Sequence, residues 1–170
     1  AGSVDSRHHG AMPHRHAAIN RDWRAVRAPD PADAAGHDHG RLTFLGHSTV
    51  LIEVDSLRIL MDPVLRKGLG PVRRQVRAVL PELFADLDAV FISHGHHDHL
   101  DLASLRQIPG RPTVIVPRGF AAIARRADLG PVEEVEPGDR LTIGRVCCAG
   151  VRGLHSGERE PLGATGPAIG

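Results

Sequence analysis

The sequence predicts an α/β fold in which short strands come first and helices alternate with strands later. From residue 41 onward, apolar residues occur in runs of strand length, separated by polar or Gly/Pro turns. Two later stretches, 101–107 and 120–127, have the spacing of short helices and lie between such runs. The chain is 41% apolar and 24% charged, which is ordinary for a globular protein with a buried core. Strands that alternate with helices indicate a sheet covered by helices.

Residues 1–40 are expected to form a flexible, His-rich N-terminal tail, and residues 41–170 are expected to form the folded domain. Half of the 12 histidines lie in this tail, scattered among Ala, Gly, Pro and Asp without a sustained apolar period. Because no ligand spacing recurs there, a solvated segment is favoured over a metal site.

The first strands of the domain are predicted at 42–45, 49–54 and 57–61. The pair Asp62 and Pro63 ends the third strand, because proline has no N–H to donate to a strand ladder and favours an extended residue before it. Residues 64–79 contain several arginines and are predicted to be a loop followed by a short basic helix, which ends before Pro81.

A buried strand at 87–93 is predicted to deliver a cluster of histidines to the start of a helix. Asp101 has the position and side chain of the N-cap of that helix. A strand at 113–116 and a helix at 120–127 follow. Short strands complete the predicted elements at 132–135, 140–143 and 146–151.

Charge and hydropathy argue against several classes of partner. Lys and Arg number 21 against 20 Asp and Glu, so the net charge of +1 creates no field that would attract nucleic acid. No stretch reaches the roughly 18 apolar residues of a transmembrane segment, and the N-terminus lacks the apolar centre of a secretory signal. A cytoplasmic protein is expected. A disulfide between the adjacent Cys147 and Cys148 would be strained, so one buried and one outward thiol are expected.

Four histidines and one aspartate crowd the six-residue window at 94–99, directly after a predicted strand. Neutral imidazole and carboxylate bind zinc and other divalent metals, and His94 and His96 can direct both rings at one ion. Asp98 and His99 then point away from that ion. They would face a position roughly 3.5–4 Å from it, which is the metal–metal distance of binuclear hydrolases. The window therefore predicts a site for one or two divalent metals. Zinc is the first expectation, and manganese, iron and nickel suit the same ligands.

These residues and their surroundings resemble the metallo-β-lactamase superfamily. The resemblance is carried by residues 42–53, by the Asp62-Pro63 pair and by residues 92–101 with their H-x-H-x-D-H signature, and it extends over 41–170. More narrowly, the chain resembles the branch that contains ascorbate-6-phosphate lactonase and N-acylphosphatidylethanolamine phospholipase D. The resemblance implies an αββα sandwich and a metal-dependent hydrolase. The superfamily fold is a duplicated half, so the sandwich is expected to be incomplete at the C-terminus.

The resemblance also implies roles for individual residues. In the superfamily the first two histidines of the signature, here His94 and His96, bind one metal together with a third histidine from a later loop. His155 stands where that third histidine is expected, although a lone histidine in a Gly-rich loop is also a common solvated residue. Asp98 and His99 would bind the second metal. Asp98 would also accept the proton of the attacking water.

Three further residues are placed by the resemblance near this centre. Asp62 is similar to an acidic residue of the superfamily that accepts a hydrogen bond from a ligand imidazole. The alternative, equally favoured by the sequence, is that Asp62 only begins a turn before Pro63. His47 is similar to a residue near the metals that contacts substrate, with an ordinary turn histidine as its alternative. His97 is the variable position of the signature and is expected to face substrate or solvent.

The implied reaction is hydrolysis of an ester, lactone or phosphodiester by metal-activated water, on a small-molecule or lipid-like substrate. In the superfamily the second half supplies an Asp that bridges two metals and a final His, and residues 41–170 contain no candidate for either. A missing segment or a second chain is therefore expected to complete the site. Two alternatives remain open: a truncated or degenerate, non-catalytic metal-binding module, and a mononuclear iron thiol dioxygenase.

Overall fold

The structure, a computed structural model of the 170-residue chain, describes residues 19–20, 40–75, 78–155, 159 and 164–170. In chain order the strands are β1 (Ile19–Asn20), β2 (Arg41–Gly46), β3 (Thr49–Val54), β4 (Leu57–Met61), β5 (Gly68–Leu69), β6 (Val72–Arg73), β7 (Ala89–Phe91), β8 (Thr113–Pro117), β9 (Val132–Val135), β10 (Arg140–Ile143), β11 (Val146–Ala149), β12 (Arg152–Gly153) and β13 (Ala168–Ile169). The α-helices are α1 (Leu102–Leu105) and α2 (Ala121–Ala124), and 3-10 helices lie at Pro81–Leu83 and Arg125–Ala127. In these ranges no helix has the length and apolar character needed to cross a bilayer.

The main sheet contains six strands in the order β2-β3-β4-β7-β8-β9. The first three form an antiparallel meander, and β4, β7, β8 and β9 run parallel to one another. Because β4 and β7 are parallel and pair Met61 with Phe91, both strands leave the sheet at the same edge. That edge receives Asp62 after β4 and the histidine-rich loop after β7.

Alternation of side chains divides the apolar core between the two faces of the main sheet. Leu51, Leu60, Val90 and Val114 lie opposite one another across four neighbouring strands and are buried in the same cluster as residues of α1 and α2. The intervening residues point the other way. They form a second buried cluster with β10 of the next sheet, which contains Ile59, Ala89, Ile115, Leu141 and Ile143.

A second, three-stranded sheet of order β1-β10-β11 covers that other face, and β12 pairs with β13 beside it. Helices, a mixed sheet and a second sheet are therefore stacked in the described residues. This confirms the predicted α/β class and the layered arrangement of a sandwich. The backbone N–H of Ile169 in β13 donates to the carbonyl of Ser93 at 2.8 Å, so the last described strand reaches the end of β7.

Most predicted elements are confirmed, and one is wrong. Instead of a basic helix in 64–79, the described residues there form a hairpin of β5 and β6. Gly70 has φ +54 in the hairpin turn, and Pro71 follows it, a pair that interrupts a helix. Residues 76–77 of this prediction lie outside the described part of the chain.

The two residues of β1 depart from the predicted tail, because they pair with β10 at Ile19↔Ile143 and Asn20↔Thr142. The rest of 1–39 lies outside the described residues, so the tail stays a prediction there. In β11 the two cysteines are free, Cys147 exposed and Cys148 half-buried, as alternation along a strand requires. Burial raises the pKa of the Cys148 thiol, and the neighbouring Cys147 adds to the shift.

Candidate metal centre

The loop at 94–99 is fixed at its far end by a partly buried ion pair. Asp101 is the N-cap of α1, and its carboxylate accepts hydrogen bonds from the backbone N–H of Ser104 at 3.2 Å and from its hydroxyl at 2.6 Å. Arg66 donates to both carboxylate oxygens of Asp101, at 2.8 and 3.0 Å. A bidentate pair of this kind defines both position and orientation, so α1 begins at a fixed point directly after the loop.

Gly95 permits the close approach of this loop to the core. A Cβ atom at Gly95 would lie 2.0 Å from Cε1 and 2.2 Å from Cζ of Phe120, whose ring is fully buried. A glycine between His94 and His96 is thus required by packing. The two histidines are held against the core on either side of it.

Three imidazole nitrogens converge above this point. Nε2 of His94 lies 3.1 Å from Nδ1 of His96, and Nε2 of His155 lies 3.2 Å from the same Nδ1. One ligand atom from each of the three residues lies within 4.8 Å of the others. Two nitrogens bound at about 2.0–2.1 Å to a tetrahedral ion would be about 3.3 Å apart. This group of nitrogens, His94, His96 and His155, therefore has the chemistry and spacing to hold one metal ion.

The electrostatics of His94 favour the form that binds metal. Burial, together with the charges of the neighbouring rings of His99, His96 and His155, lowers its pKa to about 4, against an opposing effect of Asp62. At neutral pH the imidazole is uncharged, and a lone pair is available on one nitrogen.

Asp98 and His99 form a second pair of potential ligands beside the first group. Nε2 of His99 lies 3.7 Å from Oδ2 of Asp98, and the His99 ring centroid lies 3.9 Å from that of His94. Burial alone would lower the pKa of His99, but the hydrogen bond and charge of Asp62, with the charge of Asp98, raise it above its usual value. The carboxylate of Asp98 is half exposed.

Asp62 connects these two groups. Its carboxylate is buried and accepts a hydrogen bond from Nδ1 of His99 at 2.9 Å. It also accepts hydrogen bonds from the backbone N–H and the hydroxyl of Ser93, each at 2.7 Å. The same hydroxyl oxygen lies 3.0 Å from Nδ1 of His94. One carboxylate thus contacts a ring of the second pair directly and a ring of the first group through Ser93.

This network determines which nitrogens are free. A hydroxyl has one proton, and the Ser93 hydroxyl uses it toward Asp62, so it can only accept from Nδ1 of His94. The carboxylate likewise accepts from Nδ1 of His99. Nε2 of both rings is then left with its lone pair facing the space between the ligands.

The remaining predicted residues lie at the rim of this centre. His47 is in the turn between β2 and β3, half-buried with φ +58, and is not among the three converging residues found in the described part of the chain. Its neighbour Ser48 donates to the backbone carbonyl of Asp98 at 2.7 Å, so this turn contacts the loop. His97 is exposed, and its Nδ1 lies 3.1 Å from Nη2 of Arg159.

Sequence reasoning did not single out Ser93, Ser48 or Arg159. Ser93 directly precedes the first histidine of the signature, and its place at the end of a buried strand is the signal that could have identified it. Ser48 and Arg159 contact the loop from segments distant in sequence, for which the local pattern holds no signal.

The chain matches one protein-family model and parts of several curated proteins. A model of the beta-lactamase superfamily domain matches residues 41–165. An N-acyl-phosphatidylethanolamine-hydrolyzing phospholipase D of Saccharomyces cerevisiae is 40% identical over 86 residues, which cover 46% of this chain and 18% of the yeast protein. A metal-dependent hydrolase of Methanopyrus kandleri is 29% identical over 119 residues, covering 69% of this chain and 48% of that protein. The chain spans 25% of the length of the first curated relatives that it matches, uncharacterized mycobacterial proteins.

Among solved structures, the diiron β-hydroxylase CmlA from Streptomyces venezuelae superposes with a TM-score of 0.57 at 26% identity, covering 83% of this chain and 31% of CmlA. A possible metal-dependent hydrolase from Veillonella parvula superposes with a TM-score of 0.54 at 17% identity. The match covers 66% of this chain and 47% of the Veillonella chain, and it concerns the fold alone.

Proposed function

Because the chain belongs to the metallo-β-lactamase superfamily, we propose that it forms the metal-binding part of a hydrolase that cleaves an ester, lactone or phosphodiester. The observation that carries the proposal is the convergence of Nε2 of His94, Nδ1 of His96 and Nε2 of His155 within 4.8 Å. Three neutral imidazoles at this spacing are the protein ligands of many catalytic zinc sites, which keep a fourth position open.

His94, His96 and His155 would hold the first ion, and Asp98 with His99 would contribute to a second. The pair offers one carboxylate oxygen and one nitrogen, fewer ligands than a stable site needs. Another segment or a partner chain would therefore supply the remaining ligands of a two-metal centre. Zinc is the first candidate, and manganese, iron or nickel suit the same donors.

A bound divalent cation lowers the pKa of a coordinated water and polarises a carbonyl or phosphoryl oxygen. The residues of this chain orient the reaction. Asp62 and Ser93 hold the rings of His94 and His99 with Nε2 facing the centre. Asp98, half exposed beside His99, is placed to accept a proton from the attacking water. His47 and His97 lie at the rim, where substrate would contact them.

The substrate is proposed to be a small molecule or a lipid-like ester. Support comes from the two N-acyl-phosphatidylethanolamine-hydrolyzing relatives, of Saccharomyces cerevisiae and Caenorhabditis elegans, each matched over less than half of this chain. The activity of the whole protein is part of the proposal.

The test combines metal content with hydrolysis. The protein is loaded with Zn²⁺ and assayed on bis-p-nitrophenyl phosphate and a panel of lactones, together with His96→Ala and the matched control His9→Ala from the predicted tail. The proposal expects zinc binding and hydrolysis in the wild type and the control, and loss of both in His96→Ala. Zinc binding that His96→Ala retains at the wild-type level contradicts it, and so does a zinc-loaded protein that stays inactive when the completing segment or partner chain is present.

A second candidate function is oxidation at a diiron centre. The observation that favours it is the similarity to a 3-hydroxylase of Streptomyces venezuelae that acts on a carrier-protein-bound amino acid. The two sequences are 30% identical over 130 residues, which cover 71% of this chain and 24% of the hydroxylase. Carboxylate and imidazole ligands suit iron as well as zinc. The test is to purify the protein without added metal, measure its iron content and assay hydrolysis. Bound iron, with no hydrolysis of bis-p-nitrophenyl phosphate or of the lactones, would favour this candidate over the hydrolase.

A further inference from the structure

Arg159 spans the whole length of the ligand loop. One nitrogen of its guanidinium, Nη1, donates to the backbone carbonyls of Gly95 at 2.7 Å and of Leu100 at 3.0 Å. The other, Nη2, lies 3.1 Å from Nδ1 of His97. A guanidinium carries no acceptor, so Arg159 is the donor in all three contacts. They reach the beginning, the middle and the end of the loop.

The same residue lies close to His155 in the chain. Arg159 follows His155 by four positions, and its backbone N–H donates to the carbonyl of Ala164 at 3.1 Å. His155 comes from a different part of the sequence than His94 and His96. Four residues of chain span at most about 14 Å, so the contacts of Arg159 with the loop limit how far His155 can lie from His94 and His96.

The shape of the arginine side chain suits this task. Its planar fork presents several donors in fixed directions, whereas a lysine offers donors from a single point. The carbonyls of Gly95 and Leu100 are main-chain acceptors that need a partner when partly buried. Removing the guanidinium would leave both without this donor and would free the loop relative to His155.

We propose that Arg159 is a positioning residue that sets the distance between His155 and the pair His94–His96, so that a divalent metal meets three nitrogens already in place. This inference rests on the proposed metal centre. Arg159 touches neither the ion nor the reacting atoms in it. Its contribution is preorganisation, which raises metal affinity because less ordering of the ligands remains to be done on binding.

The experiment measures Zn²⁺ affinity of the full-length protein by competition with a chromophoric chelator. Arg159→Ala should bind Zn²⁺ roughly ten- to hundredfold more weakly, the effect of losing a partner that orients metal ligands. Arg159→Lys should recover only part of the affinity, and millimolar guanidinium should restore affinity to Arg159→Ala. Arg118→Ala is the matched control, because Arg118 is exposed and its described side-chain contact is the ion pair with Glu136 at 2.7 Å, not a contact with the ligand loop. Its affinity should equal that of the wild type.

A double-mutant cycle separates positioning from general stability. If Arg159 acts by placing His155, its removal should have no further effect on Zn²⁺ affinity in a His155→Ala background, so the two losses should not add. Additive losses, or unchanged affinity in Arg159→Ala, overturn the inference and leave the metal centre intact. A wild-type protein that binds no Zn²⁺ overturns the proposed function, and this inference with it.

Discussion

Replacing Gly95 with alanine should destabilise the fold and weaken the metal centre together. The added Cβ would lie 2.0 Å from Cε1 of Phe120, against an ordinary contact of 3.4–4 Å, so one of the two must move by more than about 1 Å. The ring has little room on its other side, because a Cβ at Gly166 would lie 2.7 Å from Cε2 of the same ring. Overpacking of a well-packed core costs about 1–3 kcal/mol, and this overlap belongs at the upper end.

Urea unfolding of the metal-free protein measures the loss of stability, and chelator competition measures the loss of Zn²⁺ affinity. About 3 kcal/mol corresponds to a melting temperature lower by roughly 6–12 °C for a chain of this size. Gly40→Ala is the control, since its Cβ would meet its nearest neighbours at 3.7 Å or more and should change neither quantity.

The variant Phe120→Leu tests the cause, because it removes the ring atoms that the new Cβ would strike. Gly95→Ala should therefore cost much less in the Phe120→Leu background than in the wild type. Equal costs in both backgrounds would show that the ring is not the obstacle. A Gly95→Ala protein as stable as Gly40→Ala would refute the packing argument as a whole.

Three further predictions concern the support of the site and the chemistry of the second sheet. Ser93→Ala should weaken Zn²⁺ binding roughly tenfold, because Nδ1 of His94 loses its acceptor; isothermal titration with Zn²⁺ checks this, and an unchanged affinity would contradict it. Arg66→Ala should lower the free energy of unfolding by about 1–3 kcal/mol, because Asp101 loses a bidentate partner, and urea unfolding is the measurement. Iodoacetamide should modify exposed Cys147 before Cys148, whose pKa is raised; mass spectrometry across a pH series should show Cys148 labelled only at higher pH, and equal rates would count against this assignment.

The sequence predicted strands most accurately where alternation and turn residues agree. Strands β3 and β4 have the predicted bounds, and both end at residues that adopt left-handed backbone, Asp55 with φ +47 and Asp62 with φ +46. Aspartate tolerates this conformation better than most side chains, so the turns are visible in the sequence. The segment 64–79 was mispredicted because its arginines suggested a helix. Arg74 instead donates to the carbonyls of Val64 and Leu45, which only the folded chain brings together.

For the site, the sequence predicted which residues could be ligands more readily than what holds them. The spacing of His94 and His96 is local, and a single loop conformation places both rings. His155 lies 59 positions from His96, and the resemblance to a known family, not spacing, pointed to it. The contacts of Ser93 and Arg159 depend on tertiary structure. A hydroxyl or a guanidinium becomes a positioning group only when the sheet and the later loop bring it to the ligands.

The register of the main sheet sets the position of Asp62, and one buried threonine checks this directly. Thr49 is fully buried; its hydroxyl donates to the carbonyl of Asp62 at 2.9 Å and accepts from the backbone N–H of Val64 at 2.8 Å. Thr49→Val keeps the shape but takes the acceptor from the N–H of Val64 and the shorter of two hydroxyl contacts from the carbonyl of Asp62, so we expect a loss of about 1–3 kcal/mol in unfolding free energy.

Because Asp62 orients His99 directly and His94 through Ser93, Thr49→Val should also weaken Zn²⁺ binding although Thr49 touches no ligand. Thr142→Val is the matched control, because Thr142 is also buried and its hydroxyl has no hydrogen-bond partner among the described residues. Loss of that hydroxyl should leave the unfolding free energy unchanged or raise it. If both variants behave alike in Zn²⁺ titration and in urea unfolding, the position of Asp62 does not depend on Thr49. A weaker Zn²⁺ site in Thr49→Val alone would show that the geometry of the ligands is set by the sheet beneath the loop.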